Sequence, residues 1–384
     1  MQSYCRSTAL VILVTLGFLV GLEALARLLN WRSPQAEAVR DGFGYGLGGL
    51  GDLTPNLDSI ETLYPLRPYR LRTNDAGLRN VDPIDFSEET VRVLAIGDSF
   101  MYGYYVHNEE ATPSRLEEVL NQRWETRYQV LNAGVPGYTA ADMLDYLRDK
   151  GLRTKPRVVV MGFYTNDFFD YLPPMREFFT RRTLLQASVL PAAQTQGLGG
   201  WLSRHSALYN SLLSLSGQLA QARIQQEVNR VTPQVVGLED TYRALTFLQA
   251  DDPQYVPYYD AYARDLRAIA ELLRQEGIAL LLVAWPDLAQ LPPDNGMGDA
   301  PQRFLARLTT ELGVAYLDLL PIYRQVGDVQ SLYLMYYRDK LIDYGKPDFA
   351  TMAFWGDGHP SMYGHLMAAR AIAQRLSDAD LIPR

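Results

Sequence analysis

The stretch Val91-Arg92-Val93-Leu94-Ala95-Ile96-Gly97-Asp98-Ser99 decides how the rest of this chain is read. It is short, rich in β-branched residues and apolar toward its end, the pattern of a buried strand. A serine just beyond the carboxyl end of such a strand stands where open α/β sheets place ligands and chemistry. Three polar clusters lie downstream. Asn132-Ala133-Gly134-Val135-Pro136-Gly137 closes the strand-like run 128–131, Asn166-Asp167 follows the apolar run 158–163, and Asp357-Gly358-His359-Pro360 precedes the last helical pattern. Between them they supply a nucleophile, glycine amides, an amide donor, a carboxylate and an imidazole.

Working outward, strand patterns at 91–96, 128–132, 157–163, 278–284 and 314–318 alternate with helical patterns at 112–124, 139–150, 260–276, 301–312 and 361–376. Such alternation implies an α/β fold, a parallel sheet with helices on both faces. Parallel strands point one way, so the polar clusters at 97–99, 132–137 and 162–167 converge at one end of the sheet. Residues 1–30 form an N-terminal apolar segment. Residues 31–88, rich in Gly, Pro, Asp and Asn, read as a linker and an irregular cap, with a turn signal at Asn74-Asp75-Ala76-Gly77-Leu78-Arg79. Residues 89–384 form the main domain. Within it 168–257 breaks the rhythm with helical patterns at 208–228 and 238–248 and no clear strand, and reads as a helical cap or lid beside the active face.

The 384 residues suffice for one large domain or two modest ones. A net charge of −8 argues against a broad nucleic-acid surface and against electrostatic docking on anionic lipid. The chain has 25 tyrosines, several in loop-like stretches (Tyr102, Tyr104, Tyr105, Tyr258, Tyr259, Tyr336, Tyr337). An apolar ring with a polar tip suits half-buried packing and equally suits a carbohydrate or acyl surface. The single cysteine, Cys5, excludes an intramolecular disulfide, and it precedes the apolar run rather than following it, unlike a lipoprotein attachment site.

That run, Ser7 to Leu22, carries no charge and is closed by Glu23 and Arg27. As a helix it spans about 24 Å, or about 30 Å if it reaches Arg27, against a hydrocarbon core of about 30 Å. The reading is a single-pass transmembrane anchor in the inner (cell) membrane, with the catalytic domain on the periplasmic side. The alternative is a signal peptide cut after Ala24-Leu25-Ala26, leaving a secreted protein.

A serine hydroxyl is a weak nucleophile until a base takes its proton. Of the four histidines, His107, His205, His359 and His365, His359 lies in a loop between Gly358 and Pro360, after the last strand, where an imidazole can reach the carboxyl face. Asp357 can orient that ring and stabilise its charged form. A tetrahedral intermediate needs donors already aimed at its developing charge. The amide of Ser99, the amide of Gly137 and the side-chain NH2 of Asn166 are the candidates, with Asp98 and Asp167 as supporting neighbours. Each cluster alone reads as an ordinary turn or cap; their combination at successive strand ends points to a hydrolase. Met101 stands where the Gly-x-Ser-x-Gly elbow needs glycine. No metal-ligand motif or phosphate-binding loop is present in the sequence, so no cofactor or metal is expected.

These blocks, Gly97-Asp98-Ser99, Asn132 to Gly137, Gly162-Phe163-Tyr164-Thr165-Asn166-Asp167 and Asp357-Gly358-His359, resemble those of the SGNH, or GDSL-like, hydrolase superfamily over roughly 91–170 and 278–376. The resemblance implies a flavodoxin-like three-layer α/β/α sandwich of about five parallel strands. It also implies a triad of Ser99, Asp357 and His359, and oxyanion donors at Ser99, Gly137 and Asn166. One departure stands out. Many members place the acid three residues before the histidine, where this chain has Gly356, so a Ser-His dyad is the alternative to a triad through Asp357. The implied activity is that of a serine esterase on a small-molecule, glycan or lipid ester, anchored to the membrane by the N-terminal helix and with no nucleic-acid partner. Acyl transfer to an exported polysaccharide by the same groups, or a non-catalytic binding subunit on a hydrolase scaffold, are the alternatives.

Overall fold

Five short apolar runs dominate the architecture. In the computed structural model they become strands β3 (Thr90–Ile96), β4 (Arg127–Asn132), β5 (Val158–Phe163), β6 (Ala279–Ala284) and β7 (Ala315–Asp318). They follow a separate two-stranded pair, β1 (Asp58–Glu61) and β2 (Tyr69–Arg72). The structure describes residues 14–15, 17–25, 49–61, 69–171, 206–209, 226, 253–291, 298–334 and 358–383. The chain divides into two compact units, 1–41 with 180–230, and 42–179 with 231–384.

In the larger unit the sheet order is β4-β3-β5-β6-β7, every pairing parallel. Numbered from its own first strand this is the flavodoxin-like order 2-1-3-4-5, whose switch point falls between β3 and β5. Every residue of β5 is buried, as expected of a central parallel strand covered on both faces.

Side-chain alternation along the strands divides the core in two. Leu94, Ile96, Val159, Met161, Leu280 and Leu282 pack under helices α2 (Ala140–Asp149), α3 (Val256–Gln275) and α4 (Ala300–Leu312). Val93, Ala95, Val158, Val160, Leu281 and Val283 pack under α1 (Thr112–Arg123) and α5 (Met362–Asp378). Local chemistry starts these helices. The Asp142 carboxylate accepts from both the N–H and the hydroxyl of Thr139 before α2. The Ser361 hydroxyl accepts from the N–H groups of Tyr363 and Gly364 before α5.

The stretch read as an irregular cap is more ordered than its composition suggests. β1 and β2 pair antiparallel, Asp58 opposite Arg72. Asn74 builds the expected turn, its Oδ1 accepting from the N–H of Ala76 and of Leu78. The chain then runs along the outer edge of β4. Arg79 N–H donates to the Asn132 carbonyl, Asn132 N–H donates to Asn80 Oδ1, and Asn80 Nδ2 donates to the Val130 carbonyl.

In the smaller unit the described N-terminal residues are helical, with Val14, Phe18, Leu19, Val20 and Leu25 exposed. Among the described residues no helix is long and apolar enough to cross a membrane, so the expected transmembrane helix gains no support. Glu23, which closes the uncharged run, accepts hydrogen bonds from Ser206 Oγ and from the N–H groups of Ala207 and Leu208. Most of the expected 168–257 insertion lies outside the described residues. Its first residues belong to a short helix, Asn166–Phe169, and its last to the start of α3.

Candidate active site

Ser99 opens a four-residue helix, Ser99–Tyr102, directly beyond β3. Asp98 caps that helix, its Oδ1 accepting the Phe100 N–H at 2.9 Å. The turn is held from below by Phe100, whose ring stacks on Tyr164 with centroids 3.8 Å apart. Close backbone packing completes the support. A Cβ on Gly134 would lie 2.4 Å from the Tyr102 nitrogen, so only glycine lets the loop after β4 approach the Ser99 turn this closely.

His359 reaches Ser99 from the other end of the chain, its Nε2 lying 2.9 Å from Ser99 Oγ. Its backbone is fixed on both sides. The His359 carbonyl accepts from Leu334 N–H, Ser361 N–H donates to the Leu332 carbonyl, and Tyr333 bridges Pro360. The imidazole is 9% exposed and lies among the rings of Phe100, Tyr104 and Tyr105, all 5.3–5.4 Å away between centroids. Burial lowers its pKa to about 4. Its Nδ1 has no hydrogen-bond partner among the described residues. Asp357, the carboxylate expected to orient it, lies outside them.

Two of the expected oxyanion donors follow the strands flanking β3. Gly137 follows β4 with a φ of 81°, a backbone that glycine adopts without strain. Asn166 follows β5 and opens its short helix, and its Nδ2 donates to Asp170 Oδ2 at 2.9 Å. That bond orients the amide and uses one of its two N–H groups. The two supporting acids lie deeper. Asp98 is 2% exposed and Asp167 fully buried, and neither has a cation partner among the described residues. Asp98 Oδ2 and both Asp167 carboxyl oxygens lack hydrogen-bond partners there. Burial raises Asp98 to about 7. Burial, then the charges of Asp98 and Asp170, push Asp167 well above the carboxylate range. Both are therefore protonated more readily than surface acids.

Of the other histidines, His107 Nδ1 accepts from the Arg70 N–H, and His365 Nδ1 lies 2.8 Å from Thr112 Oγ1 in the core. His205 lies outside the described residues. Two features escaped the sequence reading. Arg79 is completely buried, and its guanidinium donates to the carbonyls of Tyr102, Gly103 and Val106 while lying 4.4 Å from the Tyr102 ring centroid. It thereby ties down the loop that carries Tyr104 and Tyr105. Tyr105 itself has a φ of 65°, unusual for a bulky residue. The only signal was the position of Arg79 at the end of a turn motif. Among the described residues no group of His, Cys, Asp and Glu is placed to hold a metal ion.

A neutral imidazole within hydrogen-bond reach of a serine, at the carboxyl end of a flavodoxin-like sheet, defines the class as an α/β serine hydrolase. The model of the GDSL-like Lipase/Acylhydrolase family matches residues 95–367, and the chain belongs to that family. It is a hydrolase acting on ester bonds. No curated protein matches it. Among solved structures it is similar to a putative lipolytic protein of the G-D-S-L family from Desulfitobacterium hafniense (14% identity, 74% of this chain and 99% of that one, TM-score 0.39). It is also similar to an acetylxylan esterase from Geobacillus stearothermophilus (14%, 77% and 96%, 0.39) and to a lipase/acylhydrolase from Enterococcus faecalis (12%, 75% and 96%, 0.40).

Proposed function

We propose that this ester hydrolase acts outside the cytoplasm and removes O-acyl groups from a glycan or lipid ester, with Ser99 as nucleophile and His359 as base. The contact that carries the reading is the 2.9 Å approach of His359 Nε2 to Ser99 Oγ. Ser99 Oγ attacks the ester carbonyl carbon while Nε2 takes its proton. The carbonyl π electrons move onto oxygen, and the N–H groups of Ser99 and Gly137 and the remaining N–H of Asn166 Nδ2 receive that charge. As the tetrahedral intermediate collapses, the bond to the leaving alkoxide breaks and Nε2–H protonates it, leaving an acyl-serine. Water, deprotonated by the same nitrogen, attacks the acyl carbon and releases the acid and free Ser99.

Aromatic rings beside His359 favour a substrate that offers flat apolar surface, as sugar rings and acyl chains do. The extracytoplasmic location draws its support from the uncharged run before Glu23, which suits a signal anchor or an export signal. The full chain is incubated with p-nitrophenyl acetate, with and without a fluorophosphonate, and any adduct is located by mass spectrometry. Turnover lost on labelling at Ser99 is expected, and Ser99→Ala is expected to retain the fold with turnover reduced at least 1,000-fold. Full activity of purified Ser99→Ala would end the serine-ester account.

A further inference from the structure

The sheet has a polar concavity at the end opposite Ser99. A cavity of about 520 Å³ opens where β3 and β5 begin, lined by Arg92, Lys155, Arg157 and Asp380 and closed on one side by the C-terminal tail at Ile382 and Pro383. β3 is seven residues long, so this opening lies about 20 Å from the nucleophile at ~3.3 Å per residue. It is separate from the catalytic groups.

Its charge is unusual for this molecule. Acidic side chains outnumber basic ones, 44 to 36, yet three cations and one carboxylate line this cavity. Arg92 is a rigid fixture. Its Nε donates to the carbonyls of Thr154 and Lys155, and its Nη1 to those of Asp85, Ser87 and Thr90. It makes no salt bridge among the described residues, and neither do Lys155 and Arg157, both of which are exposed. Lys155 is held at a φ of 51° at the end of a short 3-10 turn, Gly151–Thr154. Backbone strain of this kind in a non-glycine residue persists where the surroundings fix it, and it clusters at functional positions. The tail wall is tied down as well, because the Tyr128 hydroxyl donates to the Pro383 carbonyl.

Three cations against one carboxylate leave the cavity net positive, and a bound anion relieves their mutual repulsion. A guanidinium fork matches carboxylate and phosphate oxygens, and an ammonium adds a point charge. The volume falls in the range of small-molecule sites, larger than a bare ion needs. We infer that this cavity binds an oxyanion, a phosphoryl group or a sugar carboxylate, carried on a body of about saccharide size.

The test is thermal unfolding of the full chain in sodium phosphate, sodium glucuronate and sodium chloride at matched pH and ionic strength. The comparison protein is the double variant Lys155→Gln/Arg157→Gln. Arg92 stays in place because it braces the backbone. The expected result is a saturable rise in Tm of several degrees in phosphate or glucuronate over chloride, lost in the double variant. The variant's turnover of p-nitrophenyl acetate should stay within twofold of the parent. The anion giving the larger rise identifies the group as phosphoryl or carboxylate. No rise with either anion, or an equal rise in the double variant, overturns the assignment. The hydrolysis arm reads the serine chemistry separately, so the two readings fail independently.

Discussion

In the proposed role of base, His359 acts through its protonation state. The base must be neutral, and burial lowers its pKa to about 4. If the imidazole works without a carboxylate, kcat/KM for p-nitrophenyl acetate should stay flat from pH 8 to about pH 5 and fall only near pH 4. A limb near 6.5 to 7 would mean that an anion stabilises the imidazolium, and Asp357→Asn would then lower that limb. One pH profile of each protein separates dyad from triad. That Ser99 and His359 come together was expected from the sequence because each stands at the edge of an apolar element with glycine or proline beside it. The burial of Arg79 and of the Asp98 and Asp167 carboxyl groups was not. A charged side chain is ordinarily a surface residue, and burial of a single polar atom leaves no trace in local pattern.

At the scale of elements, the Ser99 turn depends on how closely two loops approach. Gly134→Ala would force a methyl group into the Tyr102 backbone, 2.4 Å from its nitrogen. Overpacking of this kind costs about 2–3 kcal/mol. The expected outcome is a lower urea midpoint at unchanged m, with kcat falling more than KM changes, since the turn that displaces also carries Ser99. An unaltered kcat would show that the turn yields without moving the serine. All five sheet strands and their five helices were readable in advance, with boundaries shifted by at most four residues, as in α3, which begins at Val256. Buried parallel strands write continuous apolar runs, and caps such as Thr139 and Ser361 mark where helices start. β1 and β2 were missed because each has only four residues and half of them face solvent, as in the alternation of Tyr69–Arg72.

For the whole molecule, buried titratable groups set how stability follows pH. His359 and His365 are lowered by burial to about 4 and about 3. Their contribution is present above about pH 6.5, the unfolded value, and is lost as pH falls toward 3. Asp98 and Asp287 are raised, to about 7 and about 6. Their contribution is full below about pH 3.8 and is lost as pH rises through their folded values. Opposed slopes of this kind place the stability maximum in mildly acidic solution. Asp98→Asn keeps an oxygen for the Phe100 N–H and removes the ionisation. It should raise stability at pH 8 by on the order of 2 kcal/mol and change it little at pH 4. Denaturant titrations at the two pH values measure this, and an equal effect at both would remove Asp98 from the account.

The strip from Arg79 to Asn80 laid along β4 has a consequence for assembly. A sheet grows by offering bare amide and carbonyl groups at its margin. On the β4 side those of Asn132 and the carbonyl of Val130 are already engaged by the chain's own strip. The opposite margin is β7, only four residues long. Within this sheet, a strand from a second molecule would find one hem stitched shut and the other too narrow to hold it.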